Sequence, residues 1–321
     1  MKMKAIVTTK YGGPEALRLQ EVETPTPKDN QVLIRVIAAS VNKIDLYLLH
    51  GYFLARLTGE GFLRPKRKIL GSDVAGRVEA VGSSVKQFQP GDEVFGFCVG
   101  SFAEYTCARE DLLTLKPPNV SFEEAAATPL AGLTALQGLR DKGKIHAGQK
   151  VLINGASGGV GTFAVQIAKS FDAEVTAVCS TGKMDIARSI GADHVIDYTK
   201  EDFTKSGQRY DLILATGGYH SISDYKRALN PEGIYVFIGG SRLILSLLQT
   251  SLLGRISMTE NKKAVFFIAK PNGRDLDFLK GLLEAGKVKP VIDERYPLSE
   301  VPEAVAYLEK GHAKGKVVIT V

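Results

Sequence analysis

The sequence has few cysteines and histidines, and their positions exclude several classes of protein. Among 321 residues there are three cysteines, Cys98, Cys107 and Cys179, and no two of them form a C-x-x-C pair. A small, odd number of cysteines cannot build a disulfide framework, so we expect reduced thiols in or near a core. The histidines form no H-E-x-x-H motif, and we expect surface or capping roles for His50, His146, His194, His220 and His312.

The sequence also lacks a hydrophobic run long enough to cross a bilayer, which takes about 18–20 apolar residues. The most apolar window, Leu243 to Ile256, is interrupted by polar residues and indicates a buried or interface helix. Met1–Lys4 leads directly into the alternating run Ala5–Val7, with no apolar stretch or cleavage site between them. These absences predict no transmembrane segment, no signal peptide and a cytoplasmic location.

A large excess of one charge sign is missing as well. The 41 basic residues minus the 35 acidic residues leave a net charge of +6, which is too small to indicate nucleic-acid binding. With 44% hydrophobic and 24% charged residues, the composition is that of a globular protein with a substantial core. The loop from Tyr52 to Lys68 is locally basic; we interpret it as a solvated loop, with a preference for anionic substrates as the alternative.

Two kinds of pattern divide the chain. Up to about residue 120, short alternating runs separated by turn signals predict a barrel or a partly open sandwich. At Ser121–Glu124 a capping box predicts a helix, and strands and helices alternate from there. Apolar strands that alternate with helices are typical of a parallel, doubly wound sheet. The predicted strands include Gln31–Ala38, Val74–Val81, Val151–Asn154 and Glu174–Cys179.

A glycine-rich turn separates the predicted strand Val151–Asn154 from an apolar-faced helix. The turn consists of Gly155, Ala156, Ser157, Gly158, Gly159, Val160 and Gly161. Its spacing, G-x-x-G-x-x-G, supplies glycine for a sharp bend, for close approach of the backbone to a pyrophosphate and for tight packing of the helix on the sheet. The unpaired N–H groups at the start of the helix then face the phosphates, so the turn predicts a dinucleotide site.

The end of the next predicted strand, Glu174–Cys179, indicates which dinucleotide binds. An NAD site usually carries Asp or Glu there, which accepts a hydrogen bond from the ribose 2′-OH. Here the strand is followed by Ser180, Thr181 and Lys183, without an acid. A carboxylate would repel a 2′-phosphate, whereas Ser180 and Lys183 can bind one, so we expect NADPH. The alternative is that Lys183 is a solvated residue in the first turn of a helix.

Four segments, taken in order along the chain, carry a family resemblance. They are Asn42-Lys43-Ile44-Asp45, Gly71-Ser72-Asp73-Val74-Ala75-Gly76, Pro90-Gly91-Asp92-Glu93-Val94 and Val151–Lys169. The chain resembles the medium-chain dehydrogenase/reductase superfamily, and more narrowly its zinc-independent quinone oxidoreductase branch. The resemblance implies an α/β fold with a Rossmann doubly wound parallel sheet and a GroES-like β-barrel catalytic domain. The expected domains are residues 1–122 with 270–321 and residues 123–269, and the expected assembly is a homodimer.

The same resemblance bears on metal binding. Alcohol dehydrogenases of this superfamily hold a catalytic zinc through Cys or His ligands. This sequence has Asn42 where the first cysteine ligand would fall, and Ser72-Asp73 where their His-Glu pair follows a glycine. We therefore expect no metal. Without a Lewis acid, reduction of a quinone or an α,β-unsaturated carbonyl is favoured over oxidation of a plain alcohol.

The resemblance also implies catalytic residues. Asn42 and Asp45 match an N-x-x-D motif whose asparagine lies near the nicotinamide and can donate to the substrate carbonyl. Tyr47 matches a tyrosine that lines the cleft, where a phenol can supply a hydrogen bond or a proton. Ordinary packing is the alternative for Tyr47, and a purely structural role is the alternative for Asp45.

Further residues are expected at the cofactor by the same resemblance. Tyr198 matches a tyrosine beside the 2′-phosphate, with capping of a strand as the alternative, and Thr128 matches a threonine near the nicotinamide. Gly239 follows a predicted strand and permits close approach to the nicotinamide half. Phe267 and Asn272 correspond to a loop that folds over the cofactor.

The sequence thus predicts a zinc-independent, NADPH-dependent oxidoreductase that reduces quinones or α,β-unsaturated carbonyls by hydride transfer. One alternative is a zinc-free dehydrogenase or enone reductase with a different natural substrate. Another is a non-enzymatic NADPH-sensing or RNA-binding protein on the same fold. The small net charge and the lack of a basic and aromatic stripe disfavour RNA, so we expect a small-molecule quinone or enone as the partner.

Overall fold

The structure of the protein is a computed structural model that describes residues 1–52, 61, 63–218, 220–238 and 261–321. Contacts divide the chain into two compact units. The first comprises Met1–Leu130, Pro271–Gly286 and Pro290–Val321, and the second comprises Ala131–Lys270 and Lys287–Lys289. Residues 123–130 therefore group with the first unit, and the domain boundaries expected from the sequence remain a proposal. Gly239 and the apolar window of residues 243–256 lie outside the described residues.

The elements of the described residues are listed here in chain order. The strands are β1 (Lys2–Val7), β2 (Arg18–Glu23), β3 (Gln31–Val41), β4 (Asp73–Val81), β5 (Glu93–Phe97), β6 (Tyr105–Arg109), β7 (Leu113–Leu115), β8 (Lys150–Asn154), β9 (Glu174–Cys179), β10 (His194–Asp197), β11 (Tyr210–Ala215), β12 (Leu229–Phe237), β13 (Lys263–Phe266), β14 (Ile292–Pro297) and β15 (Lys316–Thr320). The α-helices are α1 (Lys43–His50), α2 (Phe122–Ala127), α3 (Pro129–Leu136), α4 (Gly159–Ser170), α5 (Met184–Ser189), α6 (Ile222–Ala228), α7 (Gly273–Glu284) and α8 (Val301–Glu309). None of the described helices is long and apolar enough to span a membrane.

In the first unit, β1 pairs with β2, and the remaining strands of that unit form one sheet. Its order is β14-β15-β3-β4-β5-β7, and β6 also pairs with β3. Strand β15 is antiparallel to β3, which is antiparallel to β4. The register places Ser40 opposite Asp73 and Val41 opposite Val317. The end of β3 therefore meets the starts of β4 and β15, and this is where the polar residues of the first unit gather.

The second unit contains a sheet in which every neighbouring pair of strands is parallel. The strand order, β10-β9-β8-β11-β12-β13, reverses direction between β8 and β11. This is the doubly wound arrangement, in which ligands bind at the carboxyl ends of the strands where the order reverses. Apolar residues of β8, β11 and β12, including Leu152, Ile213 and Phe237, form a buried cluster in this sheet. The fold class expected from the sequence is confirmed.

Local signals predict some helices and miss others. The capping box before α2 is confirmed, because Ser121 Oγ accepts from the Glu124 N–H and the Glu124 carboxylate accepts from the Ser121 N–H. The sequence does not predict α1. Such a short helix depends on tertiary packing, which here buries Leu46 and Leu49. The π-helical turn Gln137–Lys142, which follows α3, is also not predicted.

Candidate active site

Asn42 lies at the start of α1, immediately after β3. Its backbone N–H donates to Asp45 Oδ2 over 2.8 Å, so the third residue of the helix binds back to the residue that caps it. Asp45 Oδ1 accepts from the Gly71 N–H at 3.2 Å and from the Ser72 hydroxyl at 3.4 Å. Asp45 is fully buried, and these bonds give its carboxyl a structural position. Its catalytic role stays a prediction.

The side-chain amide of Asn42 is held at both ends. Nδ2 donates to Asp73 Oδ2 over 2.9 Å and, at 3.3 Å, to the carbonyl oxygen of Ser40. Oδ1 accepts from the Lys316 ammonium over 2.5 Å. An ammonium can only donate and a carboxylate can only accept, so these partners fix which end of the amide is which. The predicted donor to substrate is therefore already engaged, and the bond to Ser40 is the longer of its two hydrogen bonds.

Asp73 is the centre of this polar cluster and is fully buried at the start of β4. Besides Asn42, its carboxylate accepts from Ser40 Oγ over 2.7 Å and from the Leu130 N–H over 3.0 Å. Its Oδ2 lies 3.5 Å from Lys316 Nζ. The sequence indicated Asp73 only as part of a segment that lacks the zinc ligands of related dehydrogenases. It did not indicate Lys316. The available signal was a lysine at the first position of a strand whose next three residues are apolar.

Burial changes the pH at which the Asp45 carboxyl titrates. Desolvation, together with the nearby charge of Asp73 from β4, raises its pKa to about 7 against the opposing effect of Lys316 from β15 and of its hydrogen bonds. Between pH 4 and 7 the folded protein thus holds a proton that the unfolded chain has lost, so stability falls as the pH rises through this window. We expect a decline on the order of a few kcal/mol, absent in Asp45→Asn. Urea denaturation across that window measures it, and parallel pH profiles for both proteins would contradict the assignment.

Tyr47 lies one turn into α1 and is half-buried. Its ring contacts that of Tyr52 edge to face, with 5.6 Å between the centroids. Burial raises the pKa of its phenol above the usual value, so the hydroxyl stays protonated and can donate. Within the described part of the chain, no hydrogen-bond partner is found for this hydroxyl. The structure therefore places Asn42, Asp45 and Tyr47 on one helix start, with Asn42 engaged and Tyr47 available as a donor.

The glycine-rich turn lies at the carboxyl end of β8, where the strand order of the second unit reverses. Gly155 has a φ of +88°, a conformation that favours glycine. A Cβ on Gly161 would lie 2.1 Å from the carbonyl oxygen of Gly155. Both glycines are therefore required by the fold itself.

Gly158 differs, because the protein's own packing does not require a glycine there. Its φ of −86° and ψ of 175° are extended, and a Cβ would meet only the Gly155 carbonyl oxygen, at 3.6 Å. Gly158 is the N-cap of α4, and no side chain caps that helix start. The backbone N–H groups at this helix start have no side-chain cap, and the space beside Gly158 is open to a ligand. Both features fit a bound pyrophosphate. Ser157, Gly159 and Val160 complete this turn.

The expected 2′-phosphate site lies at the ends of β9 and β10. Ser180 and Lys183 form a short turn in which the Lys183 N–H donates to the Ser180 carbonyl oxygen. Tyr198 follows β10 and is 61% exposed, so its ring is open to a ligand. The sequence interpretation missed Asp197, whose buried carboxylate accepts from the hydroxyls of Thr181 and Thr199. The hydrogen bond from Thr181 is the largest cause that lowers the pKa of Asp197 to about 2, so this acid stays ionised and anchors the turn.

The other residues expected at the cofactor have varied positions. Thr128 is fully buried at the end of α2, and its hydroxyl donates to the Glu124 carbonyl oxygen over 2.8 Å. Phe267 is buried in the second unit. Asn272 belongs to the first unit, where its side chain caps α7 by accepting from the Asp275 N–H. Roles at the cofactor stay predictions for all three, and the capping bond of Asn272 already explains that asparagine. Gly239 is not among the described residues.

Comparisons with known proteins identify the family and the fold of this chain. Residues 28–118 match the alcohol dehydrogenase GroES-like domain, and residues 190–319 match the family described as zinc-binding dehydrogenase. The solved quinone oxidoreductase from Coxiella burnetii is 31% identical to this chain, with a TM-score of 0.87 and full coverage of both chains. Over 99% of its length, this chain is 36% identical to the chloroplastic NADPH-dependent alkenal/one oxidoreductase of Arabidopsis thaliana, of which the match covers 79%. The chain belongs to the zinc-independent quinone oxidoreductase branch of the medium-chain dehydrogenase/reductase superfamily.

A second relative of this oxidoreductase is more similar in sequence. The 2-methylene-furan-3-one reductase of Solanum lycopersicum is 40% identical over 99% of this chain, and the match covers 79% of that relative. Both plant relatives are longer than the matched region, whereas the Coxiella protein is covered in full. The family resemblance inferred from the sequence is therefore confirmed.

Some members of the superfamily bind zinc, and the residues of this oxidoreductase do not fit it. Within the described ranges, no group of three or more His, Cys, Asp or Glu residues is placed to hold a metal ion. Burial raises the pKa of the Cys98 thiol to about 12, which disfavours the thiolate that zinc requires. Asn42 and Ser72 offer neither a thiolate nor an imidazole. The absence of a metal ion stays a prediction.

Proposed function

We propose that this oxidoreductase reduces quinones and α,β-unsaturated carbonyls with NADPH. The observation that carries the proposal is similarity over 99% of the chain to two reductases whose names specify a 2-methylene-furan-3-one and alkenals or enones. In each of these substrates an electron-poor C=C bond is conjugated to a carbonyl group. Quinones share that conjugation, and the solved structure with a TM-score of 0.87 is that of a quinone oxidoreductase.

The residues of the second unit would bind the cofactor through its phosphates. The N–H groups after Gly158 at the start of α4 would hold the pyrophosphate, and Ser180 and Lys183 would hold the 2′-phosphate. Bound NADPH supplies a hydride equivalent to the activated carbon of the substrate. The glycine turn Gly155–Gly161 fits the pyrophosphate. At the ends of β9 and β10, Ser180 and Lys183 would have to offset the repulsion between a 2′-phosphate and the ionised Asp197.

The residues of the first unit would act on the acceptor. Charge that develops on the substrate carbonyl oxygen needs a hydrogen-bond donor and then a proton. The Tyr47 hydroxyl can supply the hydrogen bond, since its raised pKa keeps it protonated and its O–H has no partner within the described residues. Asn42 can donate the Nδ2 hydrogen that now reaches the Ser40 carbonyl at 3.3 Å. Asp45 would keep Asn42 in place through the bond to its backbone N–H.

The test is NADPH oxidation, followed by near-ultraviolet absorbance, with a panel of quinones, alkenals and exocyclic enones. Saturated ketones, and saturated alcohols with NADP+, are the matched controls. We expect turnover of the conjugated acceptors and none of the saturated compounds. A panel with no turnover above the enzyme-free background would reject the proposed function.

We expect Lys183→Ala to weaken NADPH binding by about 10- to 100-fold and NADH binding by less than about 3-fold, because only NADPH carries the 2′-phosphate. Dissociation constants for both dinucleotides are measured by calorimetry on the variant and the wild type. Lys205→Ala is the control, since Lys205 is an exposed lysine paired with Asp202. Equal losses for NADPH and NADH would reject contact of Lys183 with the phosphate.

Location and assembly are also proposed. We infer a cytoplasmic homodimer, supported by the absence of a membrane-spanning helix in the described residues and by the usual assembly that the family resemblance implies. Some relatives are named chloroplastic or mitochondrial, so fractionation of cells that express the tagged chain is the test of location. Light scattering of the purified protein decides the assembly, and a monomeric mass would reject the dimer.

A further inference from the structure

Lys316 is a buried charged residue that the proposed mechanism does not use. Lys316 is 3% exposed, and its ammonium donates to Asn42 Oδ1 over 2.5 Å and lies 3.5 Å from Asp73 Oδ2. Lysines are almost never buried this deeply unless they are paired, because removing an ammonium from water is strongly unfavourable. A residue in such a position needs a reason beyond packing.

The charge balance of the cluster supplies part of that reason. Asp73 is fully buried, and Lys316 is the ion-pair partner found for it within the described part of the chain. Asp45 is also fully buried, but its raised pKa of about 7 keeps it neutral below that pH, so it adds a second negative charge only at higher pH. The Asp73 carboxylate, taken out of water, requires a compensating cation. The start of β15 supplies it.

The second part of the reason is the position of the Lys316 ammonium between Asn42 and Asp73. Asn42 stands where zinc-dependent members of the superfamily carry a cysteine ligand, and Asp73 stands at the second position of their His-Glu pair. The Lys316 ammonium bridges these two side chains. Strand β15 carries it there, because Val317 pairs with Val41 at the end of β3 while Ser40 pairs with Asp73.

We propose that the Lys316 ammonium is the resident cation of this site, where it neutralises Asp73 and fixes the amide of Asn42 as a positioning residue. The ammonium holds Oδ1 of Asn42, so both amide hydrogens point away from it, toward Asp73 and the Ser40 carbonyl. It also polarises the amide, which makes Nδ2 a stronger donor. The positioning role rests on the proposed reductase function, whereas the neutralising role does not depend on it.

Chemical rescue of Lys316→Ala tests the proposal. n-Propylammonium matches the atoms that this substitution removes, and tetramethylammonium carries the same charge but cannot donate a hydrogen bond. We expect Lys316→Ala to lower kcat by about 10- to 100-fold, with KM for NADPH changed by less than about 3-fold. We expect n-propylammonium chloride to recover part of this kcat and to raise the melting temperature of the variant, and the tetramethylammonium salt to do neither.

The outcomes separate this proposal from the proposed function. The thermal rescue needs no substrate, so it decides the resident-cation role even if wild-type protein reduces nothing in the panel. Rescue by n-propylammonium and tetramethylammonium to the same extent, or by neither, overturns the proposal, as does a Lys316→Met variant with wild-type kcat and melting temperature. If Lys316→Ala is obtained only unfolded, its refolding yield with each salt replaces the melting temperature, and a yield independent of n-propylammonium overturns the proposal.

Discussion

Gly158→Ala is expected to weaken NADPH binding by about 100-fold while it leaves the stability of the cofactor-free protein within about 1 kcal/mol of wild type. The extended backbone at Gly158 accepts any residue, and the new Cβ would meet only the Gly155 carbonyl oxygen at 3.6 Å. The methyl group therefore weakens cofactor binding rather than the fold, because the backbone at this helix start has to approach the pyrophosphate closely.

The choice of Gly158 matters, because substitutions at Gly155 or Gly161 would give an ambiguous result. On Gly161 a Cβ would lie 2.1 Å from the Gly155 carbonyl oxygen, so a substitution there disturbs the fold together with the site. The matched control is Gly281→Ala in α7, where a Cβ meets no atom within 4 Å. That change is expected to leave NADPH binding unaltered.

Calorimetry and the fluorescence of NADPH itself measure the binding, since the chain contains no tryptophan to report it. Melting temperatures without cofactor measure the stability of both variants. If Gly158→Ala binds NADPH as tightly as Gly281→Ala does, the glycine turn is not the pyrophosphate site. A large fall in its melting temperature would instead show that Gly158 serves the fold.

The glycine turn could be predicted because its signals are local. Seven consecutive residues contain both the sharp bend after an apolar strand and the glycines at their fixed spacing. The capping box at Ser121 is equally local. The sequence interpretation placed these elements because each depends on neighbours along the chain, and the parallel sheet follows from the alternation of strands and helices.

The buried polar cluster could not be predicted in the same way. Lys316 and Asp73 are 243 residues apart in the chain, and their approach follows from the pairing of β15 and β4 with β3. Each would pass for an ordinary strand residue when taken alone. Asp197 was missed for a similar reason, since its carboxylate comes from the strand next to the one on which an acid was sought. Register between distant strands carries this information, and no local pattern encodes it.

Asp73→Asn is expected to destabilise the protein by about 3–5 kcal/mol. The substitution keeps the shape of the side chain but removes the charge that balances the buried Lys316 ammonium. It also replaces one accepting oxygen with an amide NH₂, which then faces hydrogen-bond donors. The Asp73 oxygens accept from Ser40 Oγ, from Asn42 Nδ2 and from the Leu130 N–H. At least one buried donor is then left without an acceptor, which adds its desolvation cost to that of the uncompensated charge.

The double variant Asp73→Asn with Lys316→Met separates the charge from the hydrogen bonds. Removing the ammonium as well is expected to recover part of the lost stability, since the buried charge is gone, so the two changes should couple by more than about 1 kcal/mol. Urea denaturation of the single and double variants measures this coupling. Glu21→Gln is the surface control, because its pair with Lys2 spans 3.9 Å between two exposed side chains and is worth at most about 1 kcal/mol. If Asp73→Asn costs no more than Glu21→Gln, or if the two changes at Asp73 and Lys316 are simply additive, the ion pair does not hold this site together.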